Sequence, residues 1–393
     1  MLQPTEVQNA WVRDAFGLDP GAYEARTTPT GEPPPPPATT EPAPGDSPPK
    51  IELPTGTDSA VYKKTDKEKV EAAVADWNTR LGAITITYDS DTQAKALGKV
   101  VKDFQDLADA GKFADAVKHI AAVEKALVAL EKAAKAVNLP ERQKKATAAG
   151  DKIDKMSDDD VTKMSAADKA ALVKEMLGAG QPTGKIRDAQ RKLYRDTDLD
   201  TDFRKVDQKH QQAVADELKG DKELGEARKN WATATPDDIK KALTKVVKAQ
   251  SKVLGITPPE IVVIPPKDSK TPDGHVIEGF FDPSDGKLHI NMLPESSIHD
   301  FTEALDTVLH ENAHNWQHQL VAQLHSGKLK KGDPLYNQAL MFEANSIEPG
   351  GYIEPDESVS DYQKQPLERH SWETGPATAR KVIDAVKPPA TGS

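Results

Sequence analysis

Residues 301–324 read FTEALDTVLHENAHNWQHQLVAQL and set the architecture that we expect for the last third of the chain. Asp300 and Glu303 are typical of a helix start, because carboxylates there accept hydrogen bonds from the first free backbone amides. The apolar residues that follow are spaced to lie on one side of a helix: Phe301, Leu305, Val308, Leu309, Trp316, Leu320 and Leu324. The pattern predicts one long amphipathic helix.

Short strands are predicted just before this helix. Runs rich in apolar and β-branched residues at 261–264, 275–281 and 288–293 are typical of strands. The last two runs are joined across Asp285-Gly286, a dipeptide that favours a tight hairpin turn. We therefore expect a short antiparallel sheet packed on the long helix, in a domain covering residues 256–387.

The region before this domain has a different pattern. Residues 59–255 carry apolar side chains at helical spacing between Lys, Glu and Ala, as in 112–137, and predict a helical domain. Thr235 followed by Pro236 is typical of a helix start. One interruption, 83–88, alternates like a strand and fits either an isolated strand or an extended connector.

The two ends of the chain are predicted to lie outside these domains. Residues 1–26 are read as a short docking or loading segment, and 388–393 as a disordered tail. Residues 27–58 hold eleven prolines, which favour extended polyproline II, and are read as a linker. The predicted fold class is therefore α+β: a mostly helical N-terminal and middle region, followed by a small domain in which the sheet packs on the long helix.

Charge and histidine are concentrated in the last third of the chain. The 393 residues carry a net charge of −11, and residues 256–393 alone hold 11 basic against 21 acidic side chains, with eight of the ten histidines. Such a segment repels phosphate backbones and attracts cations, which argues against a nucleic-acid partner. No stretch approaches the roughly 18 consecutive apolar residues of a membrane helix. With no cysteine, any metal must be held by His, Asp or Glu.

The long helix contains the sequence His310-Glu311-Asn312-Ala313-His314, an H-E-x-x-H motif. Two histidines four residues apart share one helix face about one turn apart, so both imidazoles can reach one zinc ion. The carboxylate of Glu311 lies beside the first imidazole and can act as general base on a zinc-activated water. The motif predicts His310 and His314 as zinc ligands and Glu311 as the catalytic base.

The third ligand must come from elsewhere in the chain. His318 is excluded, because His310, His314 and His318 span eight helical residues, or about 12 Å. Coordination bonds of about 2 Å around one ion cannot bridge that distance. The sequence after the motif does not continue as H-E-x-x-H-x-x-G-x-x-H, so a glutamate further along is the leading choice.

Two segments together resemble a gluzincin-type zincin metallopeptidase: HENAHNWQ at 310–317 and YQKQPLERHS at 362–371. The resemblance covers about residues 256–385. It is to the compact versions found as toxin or effector domains of bacterial secretion and contractile injection systems. The small C-terminal domain is thereby predicted to be zincin-like.

The resemblance also implies a third zinc ligand. In that family a second helix carries a Glu-x-x-Ala-like step that supplies it, which corresponds to Glu368 here, with Ser371 in the place of the small residue. Glu343, in a helical-looking stretch, is the main competing candidate. Glu348 and Glu354 are less favoured alternatives.

Further roles follow from the implied reaction, hydrolysis of a peptide bond. Tyr362 and His370, and also Tyr352, are candidate donors to the oxyanion that forms on the substrate carbonyl. Asp306, one turn before the motif, either orients a ligand imidazole or is a solvated aspartate. In related zincins the strand before the active helix rims the cleft and pairs with an extended substrate, which implies residues 287–293.

These features predict a zinc metallopeptidase that acts on a protein or peptide as a secreted or injected toxin effector. Residues 1–20 lack the basic and apolar regions of a Sec signal, so we expect a cytoplasmic protein that an apparatus exports through its N-terminal segment, without a membrane partner. Two alternatives stay open. One is a hydrolase of peptidoglycan cross-links with the same zinc chemistry, and the other is a non-catalytic helical scaffold or partner-binding protein with a degenerate zincin domain.

Overall fold

The structure, a computed structural model, describes residues 65–87, 90–270, 276–347 and 350–386. The chain divides into two compact units, 1–137 and 138–393. The predicted docking segment, the proline-rich linker and the C-terminal tail lie outside the described residues. Among the helices that are described, none is both long and apolar enough to cross a membrane.

The first unit contains three helices in its described part: α1 (Asp66–Gly82), α2 (Asp91–Asp109) and α3 (Phe113–Lys135). All three bury apolar side chains in one core, where the rings of Trp77 and Phe104 meet edge to face at 5.0 Å. Arg80 joins α1 to α3 through ion pairs with Glu124 and Glu131. Residues 83–87 form a turn and an extended connector, and the alternative of a strand there is wrong. Ile86 in that connector instead packs into the helical core.

The second unit begins with helices that precede residue 256: α4 (Leu139–Asp154), α5 (Asp158–Lys163), α6 (Ala166–Met176), α7 (Gly184–Arg195), α8 (Thr201–Glu217), α9 (Lys222–Lys229) and α10 (Pro236–Leu254). The start of α10 is as predicted, with Pro236 in its first turn and the Thr235 side chain accepting from the backbone amide of Asp238. The helix ends at Gly255, whose φ of 68° is a conformation that glycine adopts without steric cost.

A small sheet and further helices complete the unit: β1 (Glu260–Val263), β2 (Gly279–Asp282), β3 (Lys287–Ile290), α11 (Phe301–His325), α12 (Tyr336–Asn345), α13 (Val359–Lys364) and α14 (Pro366–Ala385). The predicted long helix is α11, and Asp300 caps it by accepting from the amides of Thr302 and Glu303. The described chain is therefore mostly helical with one small sheet, as the predicted α+β class requires.

The sheet is mixed, whereas the sequence predicted an antiparallel one. Its strand order is β1-β3-β2. The hairpin of β2 and β3 is antiparallel as predicted, but β1 pairs with β3 in parallel, because the chain leaving β1 crosses to the far side before the hairpin returns. Since β3 has a strand on each side, the expectation that residues 287–293 form the rim of the cleft is wrong. The described sheet has two edge strands, β1 and β2, and it is β2 that contacts Glu311 of α11.

The core of the second unit runs across the boundary that the sequence placed after residue 255. One apolar cluster combines side chains of α8 and α10 with those of the sheet, α11 and α14. A polar contact follows the same route, since the buried Asn312 amide of α11 donates to Gln250 and Ser251 of α10. Because α8 and α10 supply the surface on which α11 is buried, they belong to the same compact unit as α11. The chain therefore divides at 137/138 and not after residue 255.

Candidate metal centre

The helix α11 places His310 and His314 on one face, as their spacing predicts. Their Nε2 atoms lie 3.2 Å apart, and their rings meet at 70° with centroids 5.0 Å apart. Both side chains remain slightly exposed, at 11% and 15%. The opposite side of α11 is buried in the core, so the two imidazoles are held on a helix that cannot turn without losing its packing.

The third side chain comes from α14, which packs along α11. The Glu368 carboxylate lies 3.6 Å from Nε2 of His310 and 3.3 Å from Nε2 of His314. The three residues form a group of side chains that could hold a metal ion. Glu368 is only 1% exposed, so its charge is well shielded from water.

The spacing of these three side chains is compatible with a tetrahedral zinc site. Ligand atoms at about 2.0 to 2.1 Å from zinc lie roughly 3.3 Å from one another in a tetrahedron. The two Nε2 atoms lie 3.2 Å apart, and Nε2 of His314 lies 3.3 Å from Oε1 of Glu368, both close to that value, while Nε2 of His310 lies 3.6 Å from the other carboxylate oxygen, Oε2. In addition, Oε2 of Glu368 is buried and has no hydrogen-bond partner within the described residues. An unpaired buried carboxylate oxygen is costly, and a cation offsets that cost.

The surroundings of Glu368 keep its carboxylate charged. Burial acts to raise its pKa, but the imidazoles of His314 and His310 and the hydroxyl of Tyr352 outweigh that effect and lower the pKa to about 2. Tyr352 donates its hydroxyl proton to Oε1 of Glu368. Burial raises the pKa of Tyr352 well above its usual range, so the tyrosine stays a donor at neutral pH.

Glu311 lies beside these three side chains and is held by the sheet. Its Oε1 is 3.9 Å from Nε2 of His310, while its Oε2 accepts a hydrogen bond of 3.0 Å from the backbone N–H of Phe281 in β2. The close approach of β2 depends on Gly279, where an added Cβ would lie 2.8 Å from the His289 carbonyl oxygen. Burial raises the pKa of Glu311 above its usual range, which makes its carboxylate a stronger base.

The other proposed ligands lie elsewhere. Glu343 belongs to α12, where it pairs with Lys174 and His325 at 2.8 Å each, so it is a structural ion-pair partner. Glu354 is exposed. Glu348 lies outside the described residues. Within the part of the chain that the structure describes, Glu368 is therefore the carboxylate that joins the two histidines.

Of the three candidate oxyanion donors, Tyr352 donates to Glu368, and the other two have different positions. The ring of Tyr362 packs edge to face on Tyr352 at 6.0 Å, on the Glu368 side of the site. His370, in contrast, is fully buried and faces Gln317 and Asp207 behind α11. It does not reach the open side of the site, so the structure does not support a role for His370 as an oxyanion donor.

Asp306 does not hydrogen-bond a ligand imidazole. Its Oδ1 is buried without a partner among the described residues, and burial raises the pKa of the carboxyl. The side chain is pressed against Gly375 of α14, where an added Cβ would overlap Oδ1 and lie 3.2 Å from Cβ of His310. The sequence offered two interpretations of Asp306, a group that orients a ligand imidazole or a solvated aspartate. Neither describes this contact.

Two residues at the site were not singled out from the sequence. Gln317 is fully buried, and its Oε1 lies 2.9 Å from Nδ1 of His314. Its position three residues after the second histidine, on the same helix face, was a signal that could have identified it. Trp372 is 47% exposed and packs edge to face on His310 at 5.2 Å, so it forms one wall of the open side.

Comparison with protein-family models, with curated proteins and with solved structures finds no match to this chain.

Proposed function

We propose that the chain is a zinc-dependent metallopeptidase whose ion is held by His310, His314 and Glu368. The observation that carries this proposal is the group of His310, His314 and Glu368, whose ligand atoms all lie within 4.8 Å of one another, next to an acidic side chain of raised pKa. The combination of two helical histidines, a distant glutamate and an adjacent glutamate is what the zincin-like interpretation of residues 256–385 requires.

The residues then have separate tasks. His310, His314 and Glu368 would hold the zinc ion, which would supply a Lewis acid for the substrate carbonyl and for water. Glu311 takes the proton from the attacking water and returns it to the leaving amine. Tyr362 is the candidate donor to the oxyanion, since its side chain lies on the Glu368 side of the site. Tyr352 orients Glu368 through its hydroxyl group.

An extended peptide is the substrate class that the sheet favours. The strand β2 lies at the edge of the sheet and directly beside Glu311, so its backbone is the part of the sheet nearest the reacting atoms. An edge strand offers backbone donors and acceptors to an extended chain. Delivery as a toxin effector by a secretion or injection apparatus rests on the resemblance of residues 256–385 alone.

The test is cleavage profiling of a whole proteome with the wild-type protein and with Glu311→Gln. The variant keeps the three ligands, so we expect both proteins to hold about one zinc ion per chain. Loss of the general base is expected to lower the rate of cleavage by roughly 100- to 10,000-fold. Zinc content and cleavage are measured on the same samples.

Three outcomes would contradict this account. Turnover in Glu311→Gln equal to the wild type would remove Glu311 from the role of base. Cleavage of peptidoglycan cross-links but of no protein would favour the alternative hydrolase. A wild-type protein that binds no zinc and cleaves nothing would favour the scaffold, in which residues 59–255 carry the function.

A further inference from the structure

One buried amide joins the two helices that carry the candidate zinc ligands. Gln317 of α11 is fully buried, so water does not compete for its side chain. Its Oε1 lies 2.9 Å from Nδ1 of His314. Its Nε2 lies 2.9 Å from the backbone carbonyl oxygen of Leu367, the residue before Glu368 in α14. A single side chain therefore contacts one candidate ligand directly and the backbone beside another.

The orientation of this amide is fixed by the backbone of α14. The Leu367 carbonyl oxygen can only accept a hydrogen bond, so the NH2 group of Gln317 must be on that side. In the reversed orientation, two carbonyl oxygens would face each other at that distance. The same nitrogen also lies 2.8 Å from Nδ1 of His370 and 3.2 Å from Oγ of Ser371, which can accept its second proton. The carbonyl of Leu367 alone is sufficient to fix the orientation.

The fixed amide decides which nitrogen of His314 carries the proton. Oε1 of Gln317 only accepts, so Nδ1 of His314 must donate to it. With its proton on Nε2, the ring could donate to the Glu368 carboxylate at 3.3 Å, but Oε1 would lose its donor. A buried polar atom that loses its partner is costly. Oγ of Ser371 lies 3.5 Å from Nδ1, at the limit of a hydrogen bond, so it does not replace the amide.

We propose that Gln317 is a positioning residue of the candidate metal centre, which keeps the proton of His314 on Nδ1 and leaves Nε2 free to bind a metal. Nε2 is the atom of His314 that faces His310 and Glu368, so a proton there would block the ion. The metal rests on the proposed function, whereas the tautomer is a property of the metal-free protein. A group that orients a ligand histidine in this way raises metal affinity by about 10- to 100-fold.

The test begins with Gln317→Met, which keeps the length of the side chain but removes the amide. We expect the proton of His314 to move to Nε2, where the Glu368 carboxylate accepts it. The tautomer is read from the ¹⁵N shifts of the ring in metal-free, histidine-labelled protein at about pH 9, where free imidazole is neutral. Zinc affinity, measured by chelator competition, is expected to fall by about 10- to 100-fold.

Gln317→Glu is the rescue variant. A neutral carboxyl keeps one oxygen to accept from Nδ1 of His314 and an O–H to donate to the Leu367 carbonyl, and an ionised carboxylate also accepts from Nδ1. In either state we expect the wild-type tautomer, and zinc bound more tightly than in Gln317→Met. If both variants moved the proton to Nε2, the acceptor at position 317 would not be its cause, and the proposal would be overturned.

Gln338→Met is the matched control for the loss of a buried glutamine. Gln338 of α12 is 2% exposed and accepts from the backbone N–H of Asp200 at 2.9 Å. The substitution removes a buried hydrogen bond that does not involve the candidate ligands. We expect lower thermal stability, with the tautomer of His314 and the zinc affinity of the wild type.

The remaining outcomes separate this proposal from the proposed function. Wild-type protein with His314 protonated at Nε2 would overturn the positioning role of Gln317. A Gln317→Met variant that kept either the wild-type tautomer or the wild-type zinc affinity would do the same. Wild-type protein with the Nδ1-protonated tautomer but without zinc binding would instead overturn the proposed function.

Discussion

At the scale of single residues, Glu368 is the side chain whose burial is hardest to explain without a cation. It is 1% exposed, one oxygen accepts from Tyr352, and the other has no hydrogen-bond partner in the described part of the chain. Removing a carboxylate from water is unfavourable unless another charge or several donors replace the water. The two imidazoles beside it supply part of that replacement, and under the proposed function a metal ion would supply the rest.

Glu368→Gln is therefore expected to weaken zinc binding by more than about 100-fold, because the loss of a direct ligand exceeds that of a supporting group. The measurement is competition with a chromophoric chelator, combined with thermal unfolding with and without zinc. In the wild type, zinc at 100 times its Kd should add about 2.7 kcal/mol to the free energy of unfolding. The variant should lose most of that gain.

Glu343→Gln is the matched control, since Glu343 was the competing ligand. It should lose its ion pairs with Lys174 and His325 but keep the zinc affinity of the wild type. If Glu343→Gln released the metal and Glu368→Gln retained it, the third ligand would be Glu343 and not Glu368.

The residues of the site differ in how far the sequence predicts them. His310 and His314 are four positions apart on one helix, so local geometry alone brings them together. Glu368 and His370 are only two positions apart, which on a helix is a rotation of about 200°. Glu368 therefore faces the two histidines of α11, while His370 faces Asp207 of α8. Which of the two residues faces the histidines depends on how α14 is rotated against α11. That rotation is set by the packing of the two helices.

At the scale of elements, the contact between α11 and α14 is controlled by one glycine. Gly375 lies where Asp306 and His310 of α11 approach α14, and an added Cβ would overlap Oδ1 of Asp306. The next residue, Pro376, interrupts the backbone hydrogen bonding of α14 at the same level. The absence of a side chain at position 375 thus lets the two helices that carry the candidate ligands lie close together.

Gly375→Ala is expected to destabilise the protein by about 1 to 3 kcal/mol, because overpacking a tight contact forces side chains or backbone to move. It should also weaken zinc binding, since His310 is displaced with Asp306. Chemical denaturation and chelator competition measure the two effects.

Gly150→Ala is the corresponding control. Gly150 lies in the interior of α4, and an added Cβ would be no closer than 3.4 Å to Ile186. There the gain in helix propensity, about 0.5 to 1 kcal/mol, should appear without a change in zinc affinity. Equal effects of the two substitutions would mean that the α11 and α14 contact is not tight.

The strand order is a second feature of the elements that the sequence leaves open. The hairpin of β2 and β3 is predictable, because its turn is encoded by adjacent residues. The parallel pairing of β1 with β3 is set by a long crossover, for which the sequence carries no local signal. This pairing decides that β2, and not β3, lies at the edge beside Glu311.

At the scale of the whole molecule, residues 138–255 support the site. Arg187 of α7, whose side chain is 5% exposed, donates to the carbonyl oxygens of Gly350 and Tyr352 and pairs with Glu357 at 2.6 Å. These contacts fix the segment that carries Tyr352, and α10 covers the buried side of α11. The composition of 59–255 suggested a separate helical domain, but the structure uses its second half to build the core of the site.

A fragment of residues 138–393 is accordingly expected to unfold cooperatively and to bind zinc. A fragment of 256–393 should do neither, because α8 and α10 supply part of the apolar cluster that buries α11. Thermal unfolding followed by circular dichroism and zinc titration distinguish the two. Cooperative unfolding of 256–393 on its own would support the domain boundary after residue 255 that the sequence suggested.

The stability of the metal-free protein is expected to fall as pH drops below about 4.5. Burial acts to raise the pKa of Glu357 and Glu343, but pairing with Arg187 and Lys174 outweighs it and lowers both values from 4.5. A carboxyl whose pKa is lower in the folded state stabilises that state above the unfolded value, and the contribution is lost as pH falls. Urea unfolding between pH 7 and pH 3 measures the effect.

The variant Glu357→Gln identifies the source of this pH dependence. At pH 7 it leaves the buried Arg187 without its partner, which costs about 3 kcal/mol. The difference from the wild type should shrink as the pH falls below 4.5 towards the lowered pKa of Glu357 in the folded protein, where its carboxyl becomes protonated. A difference that stays constant down to pH 3 would exclude this ion pair as the origin.

By itself, the sequence determined the helices, the hairpin and the pair of histidines, because each depends on residues within about one turn or one hairpin of each other. The tertiary structure decided the rest: which face of α14 meets α11, which strand lies at the edge of the sheet, and that Asp207 of α8 lies beside His370 of α14. Those features depend on apolar surfaces far apart in the chain being buried together, and no local pattern records which surfaces those are.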